Sequence, residues 1–212
     1  GLSSFSLFRI TSQPHNLITL NPHNRMKNLL PASLLLILSL CLSLVNSCAD
    51  DVEDLYAHHR AFLRFTPVTA VHPLYTALQN PGMFCQITIA PKHFLFQNAQ
   101  GQKASYPMTA LEAYGRPECI AGFVVGTPSI PDMNMQTLPV AYDLVCPTCY
   151  ESSGSIQRSL HFVVKRGEEL TCDRCHCVYD LSNGGLLKEG EGCPKLYRYR
   201  LTYAGDVLVV MN

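Results

Sequence analysis

Two short cysteine pairs constrain this chain of 212 residues more than any other feature: Cys146 with Cys149, and Cys172 with Cys175, each at C-x2-C spacing. Such a turn places two sulfurs on one side of a tight loop, and two loops that face each other form a tetrahedral sulfur cage. A cage of that kind suits Zn²⁺, a single iron or an iron–sulfur cluster. Pro147 stiffens the first loop, and the backbone N–H groups at Thr148 and Asp173 are placed to turn toward sulfur. The stretch "SLHFVVKRGEEL" between the pairs reads as strand, turn, strand, which puts the pairs at the tips of neighbouring hairpins. Disulfides are the competing use of these thiols, and export of the domain would favour them. Loops cross-linked to each other are then expected over local bridges, because a disulfide closed within C-x2-C is strained.

Ten cysteines occur in all. Cys177 alternates with Cys175 on an expected strand, which makes it a neighbour of the site and turns His176, between them, outward. Cys85, between Phe84 and Gln86, reads as core. Cys119 and Cys193 sit in loops near Pro117 and Pro194, where a disulfide fits but no pairing can be read. His58, His59, His93 and His161 read as surface or strand-face residues, not as ligands.

From Pro67 onward the pattern is one of strands. "VHPLYTAL" runs into the turn Asn80-Pro81-Gly82, and "MFCQITIA" and "HFLFQNA" follow on either side of Pro91-Lys92. "AGFVVGTP", "LPVAYDLVC", "LHFVVKRG", "LTC" and "CVYDL" continue the series, and "KLYRYRLTYAGDVLVVMN" closes it as a hairpin turning at Ala204-Gly205-Asp206. Short strands punctuated by turn residues predict an all-β sandwich or barrel. Tyr197, Tyr199, Leu201 and Tyr203 share one face of the last hairpin, with the arginines on the other. Helix signals are thin: "YPMTALEAYG" offers a turn or two, and "VEDLYAHHRAFLRF" a short helix or turn.

The first 48 residues differ from the rest. From Met26 and Lys27 an apolar run extends to Val45, then the small residue Ser47 precedes Cys48. A positive start, an apolar core and a small residue before the cut describe a secretory signal. Leu44-Val45-Asn46-Ser47-Cys48 resembles a bacterial lipoprotein signal, in which Cys48 is lipidated and becomes the mature N-terminus. An uncleaved anchor helix is the alternative, and both place the domain outside the cytoplasm on a membrane. The organisation expected is an upstream extension at 1–25, a signal at 26–47, a tether with a short helix at 48–66, and a β domain at 67–212. The metal-binding subdomain spans about 141–182 of that domain.

Charge narrows the partners. Lys and Arg number 16 and Asp and Glu 16; Arg9, Arg25 and Lys27 all lie in the leader, which leaves 13 cations against 16 acids. A mildly acidic domain offers no basic surface for nucleic acid or anionic lipid. No hydrolase constellation emerges: Ser152, Ser153 and Ser155 lack a positioned base, and Glu168-Glu169 reads as a solvated hairpin turn. A thiol–disulfide oxidoreductase fits poorly, since its C-x2-C opens a helix in a βαβ unit and both pairs here fall in β-rich sequence.

"CDRCHCVYDLSNGG" resembles the second half of the Rieske signature, in which a Cys and a His three residues later precede an aromatic-Asp-Leu run and a Gly turn. Cys172 stands at the Cys position, Tyr179, Asp180 and Leu181 at the aromatic-Asp-Leu element, and Gly184 at the turn. "AYDLVCPTCYESSG" is similar to the first cluster loop, with Cys146 at its Cys. The layout resembles that of Rieske-like lipoproteins of Bacteroidetes, over roughly residues 67–212. The resemblance implies a Rieske-like β fold with a small rubredoxin- or zinc-ribbon-like metal subdomain, and a [2Fe–2S] cluster that passes single electrons to a redox protein partner. Thr148 and Cys175 occupy the two histidine positions. A cluster on Cys146, Cys149, Cys172 and Cys175 would then sit near the about −400 mV of all-Cys centres, below the Rieske range. Tyr150 and Tyr179 would shield it. The alternative is a Zn²⁺ or a single iron on the same four cysteines, with zinc serving a non-redox scaffold or binding module.

Overall fold

A computed structural model describes residues 55–109, 115–132, 134–157 and 160–212. The upstream segment, the signal, Cys48 and the acidic spacer lie outside the described residues, as do positions 110–114 of the weak helix signal.

The fold is all-β and consists of two sheets. β1 (Phe62–Phe65), β2 (Met83–Ile89), β3 (His93–Asn98), β4 (Lys103–Pro107), β5 (Phe123–Thr127), β6 (Val140–Asp143), β11 (Arg198–Ala204) and β12 (Val207–Met211) form the first. Their order is β1-β12-β11-β6-β5-β2-β3-β4, antiparallel throughout. The second sheet orders β10 (Leu186–Glu189), β9 (Val178–Asp180), β8 (Arg166–Cys172) and β7 (Leu160–Val163).

The central strands β5 and β6 are buried at every residue, and β2 at four consecutive ones. Alternation vanishes there because both faces are covered. Cys85, Ile87, Phe123, Val125 and Ala141 point into one core, which also holds Phe65, Phe94, Phe96, Leu208 and Val210. Phe84, Val124, Val140 and Tyr142 point the other way, into a second core shared with Leu160, Leu170, Tyr179 and Leu181 of the small sheet. β3, paired between β2 and the edge strand β4, is covered on one face only and alternates strictly. Tyr142 Oη donates to Leu181 O at 3.1 Å across the seam.

Two segments depart from expectation. "VHPLYTAL" is not a strand: α1 (His72–Gln79) is a helix whose Pro73, Leu74, Ala77 and Leu78 are buried. The spacing is that of one helix face, and Pro73 falls in the first turn, where its missing N–H costs nothing. Residues 62–65, assigned to the tether and its short helix, form β1 instead. Leu63 and Phe65 are buried, and the strand pairs with β12 from Phe62↔Met211 to Phe65↔Leu208. Pairing with the C-terminal hairpin, at the far end of the chain, is a tertiary decision that local propensity does not reveal.

Asp143, at the end of β6, is the only fully buried carboxylate among the described residues and anchors several chain segments at once. Its Oδ1 accepts from Ala121 N at 3.1 Å and Val145 N at 2.8 Å, and its Oδ2 from Ile120 N at 2.9 Å and Tyr199 Oη at 3.1 Å. Burial raises its pKa, and the four donors oppose that rise.

Glu168-Glu169 is not the solvated turn that two adjacent acids suggest. The turn falls earlier, between β7 and β8, and Glu169 lies within β8 with its side chain 7% exposed. Arg166 and Lys188 each approach it, at 2.8 and 2.7 Å. Two cations flanking one carboxylate are what permits its burial. Glu168 accepts from Ser129 Oγ and Ser182 Oγ.

Candidate metal centre

β6 leads through Leu144 and Val145, both fully buried, to Cys146. Cys146 is the N-cap of α2 (Pro147–Ser153), with Pro147 in the first turn and Cys149 one turn along on the inner side. Gly154 ends the helix in the left-handed region, at φ 62°, a conformation that glycine adopts at little cost. The first C-x2-C pair is therefore helical, against the expectation of β-rich surroundings, because a proline at N1 and a glycine at C′ make a helix of seven otherwise unremarkable residues.

The second pair straddles the β8–β9 turn. Cys172 ends β8, and residues 173–176 make the reversal, closed by His176 N donating to Cys172 O at 3.0 Å. The N–H that reaches sulfur is that of Arg174, 3.4 Å from Cys172 Sγ, one residue beyond the expected Asp173. His176 is exposed, as expected, but through a turn and not a regular strand: its φ is 60°. That positive φ lets Cys175 and Cys177 converge from either side of it.

The two pairs meet. Cys146 Sγ lies 3.4 Å from Cys175 Sγ, and Cys149 Sγ 3.7 Å from Cys172 Sγ. All four sulfurs lie within 4.8 Å of one another, three of the residues buried and Cys175 half-buried. Four thiolates around one Zn²⁺, at bonds of about 2.3 Å, stand about 3.8 Å apart along each tetrahedral edge. The spacing fits a single ion. A [2Fe–2S] cluster binds each thiolate pair to a different iron, which spreads the pairs beyond single-ion spacing.

The electrostatics of the site are compatible with a cation. Burial pushes the Cys149 thiol up to about 12 and the Cys175 thiol up to about 11, with neighbouring thiols adding to the burial effect. Four thiolates packed this closely repel one another in a medium that hydrates them poorly, and a bound cation reverses that balance. Tyr179 Oη stands 3.6 Å from Cys146 Sγ and 3.5 Å from Thr148 Oγ1. Tyr179 therefore stands beside the cysteines, whereas Tyr150 packs edge-on against His59 and Tyr197.

Cys177 is beside the site as expected, its sulfur 3.2 Å from Cys175 Sγ, and it is disulfide-bonded to Cys193. That partner was illegible in sequence because it arrives from the irregular segment after β10. Among the described residues Cys85 and Cys119 form no disulfide, and His93 and His161 are exposed, with His161 paired to Asp173 at 3.3 Å. No family model matches this chain, and no curated protein or solved structure matches it either.

Proposed function

We propose that this chain is a metal-binding β protein in which Cys146, Cys149, Cys172 and Cys175 hold one tetrahedral ion, zinc by preference. The observation that carries this reading is the mutual approach of four sulfurs within 4.8 Å from elements that the sequence keeps apart. Four thiolates complete a tetrahedral shell and leave no position for substrate. The ion then serves as a brace: it joins α2, fed from the large sheet through β6, to the β8–β9 turn of the small one. The domain acts as a scaffold or binding module. The leader and Cys48 support export and a lipid tether to a membrane.

A second reading has its own support. Cys175 is half-buried while the other three ligands are buried, so one edge of the centre approaches the surface, which a one-electron carrier requires. A single iron meets the same spacing. The Rieske-type [2Fe–2S] cluster is supported by the signature residues around Tyr179-Asp180-Leu181 and would need the two thiolate pairs to draw apart.

Elemental analysis and the visible spectrum of the full-length protein, purified without added metal, test these readings. One equivalent of zinc in a colourless protein, lost in Cys146→Ser, is the expected result. Stoichiometric iron with charge-transfer bands selects the electron carrier, and two irons with inorganic sulfide select the cluster. No bound metal in wild-type protein under reducing conditions refutes all three.

A further inference from the structure

The Cys177–Cys193 disulfide abuts a thiol that the metal reading uses as a ligand. Cys175 Sγ lies 3.2 Å from Cys177 Sγ, closer than Cys175 lies to Cys146. From this contact we propose an internal thiol–disulfide exchange: when the metal leaves, Cys175 attacks the Cys177–Cys193 bridge and releases Cys193. This rests on the metal reading only in holding Cys175 occupied while an ion is bound.

The step balances within the chain. The Cys175 thiolate forms a bond to Cys177 Sγ, the Cys177–Cys193 bond breaks, and its electron pair leaves on Cys193 Sγ as a thiolate. The proton lost by Cys175 is matched by the one that Cys193 takes up. Nothing is oxidised or reduced overall, and no outside reagent enters.

The surroundings fit both ends of the exchange. Cys177 is 2% exposed, which shields the bridge from solvent thiols on that side, while Cys193 is half-buried at the end of the irregular segment after β10. Gly190 backs the bridge: a Cβ there would stand 3.5 Å from Cys193 Sγ and 3.6 Å from Cys177 Sγ, on a backbone at φ 115°. The released thiol therefore sits where solvent reaches it. A metal ion suppresses the exchange because its bond to Cys175 occupies the attacking lone pair. Once exchange has occurred, Cys175 is held in a disulfide and the fourth ligand is missing. The Cys175–Cys177 loop is tighter than a C-x2-C bridge, so the exchange is reversible: attack by Cys193, or reduction by an external thiol, frees Cys175 again.

Disulfide mapping tests this directly. Full-length protein, with and without chelator treatment, is quenched in acid, alkylated and digested, and the cross-linked peptides are read by mass spectrometry. Wild-type protein with metal is expected to keep the Cys177–Cys193 cross-link and an unalkylated Cys193. After metal removal that cross-link is diminished, a Cys175–Cys177 loop appears, and a matching fraction of Cys193 gains the alkyl mass. Cys146→Ser weakens the metal site but retains Cys175, so Cys193 should be alkylated without chelator; in Cys175→Ser it should stay blocked under all conditions. Cys193 that remains blocked in metal-free wild type and in Cys146→Ser overturns the proposal, as does its equal release in Cys175→Ser. Metal content is measured on the same samples. A chain that binds no metal but shows the Cys175–Cys177 loop as isolated refutes the metal reading and keeps the exchange.

Discussion

Asp143 is the residue whose replacement most directly tests how the fold holds the metal loop. Its carboxylate accepts three N–H groups and one phenol, and the Val145 N–H fixes the backbone immediately before Cys146. Three of the four neighbours are backbone N–H groups that can only donate, so a protonated carboxyl could place its O–H on the Tyr199 hydroxyl alone. In Asp143→Asn the amide settles with Nδ2 toward Ile120 and Tyr199, because only the tyrosine hydroxyl can turn to accept. Ala121 and Val145 keep their acceptor, and Ile120 N–H loses its own and meets another donor. One half-buried donor left unpaired, together with the weaker bonds to a neutral acceptor, costs about 2 kcal/mol. Asp143→Ala leaves all the donors unpaired. Summing four charged bonds would exceed the true cost, since the raised pKa shows that burying the charge already opposes folding. About 4 kcal/mol is expected. With a urea m-value of about 2 kcal/mol/M, the Asn variant's midpoint falls by about 1 M and the Ala variant's by about 2 M, at unchanged m. Both variants should also surrender metal to a chelator faster than wild type. An Asn variant as stable as wild type would refute the ionised, four-donor account, and an unchanged metal release rate in both would sever Asp143 from the Cys146 loop.

Further outcomes follow from the same packing. The folded pKa values of Cys149 and Cys175 lie above the ordinary 9.0, at about 12 and about 11; their contribution to the metal-free protein is present below pH 9 and is lost as pH rises through 11 to 12. Denaturation of both forms from pH 8 to 10 should show the metal-free protein losing stability faster, and equal slopes would contradict the role of these thiols. Gly126→Ala places a methyl 2.5 Å from Phe84 Cδ1 and against Met83 O, in a strand paired on both sides; a loss of at least about 3 kcal/mol is expected in urea denaturation, and a soluble variant of wild-type stability would show that β2 and β5 are more loosely packed than described. Tyr179→Phe removes the hydroxyl beside Cys146 Sγ and Thr148 Oγ1. It should cost about 1 kcal/mol and speed metal transfer to a chelator at unchanged stoichiometry; an unaltered transfer rate would make Tyr179 a packing residue alone.

The residues that matter to the site were legible because their chemistry is written in spacing. Two C-x2-C pairs name four candidate ligands wherever they fold, and short strands with turn punctuation name the all-β class. The boundary at Ala204-Gly205-Asp206 and the turn at Asn80-Pro81-Gly82 were legible for a related reason: each is closed by residues whose own backbone preferences select it. The helix α1 was misread because "VHPLYTAL" carries β-branched and aromatic residues at spacings that suit either state, and only burial of Pro73, Leu74, Ala77 and Leu78 against one core selects the helix.

What the sequence determined by itself was local: which thiols stand close as C-x2-C pairs, where many of the strands lie, and which face of β11 is apolar. What only the tertiary structure decided was convergence. Val124 and Tyr142 turn away from the main core because a second sheet covers them; Glu169 is buried because Lys188 arrives from β10 to join Arg166 of its own strand; Cys177 bonds Cys193 because the segment after β10 returns to it. Each of these depends on a contact between separate elements of the fold. Local preference carries no record of them, since their free energy exists only after both partners have been brought together.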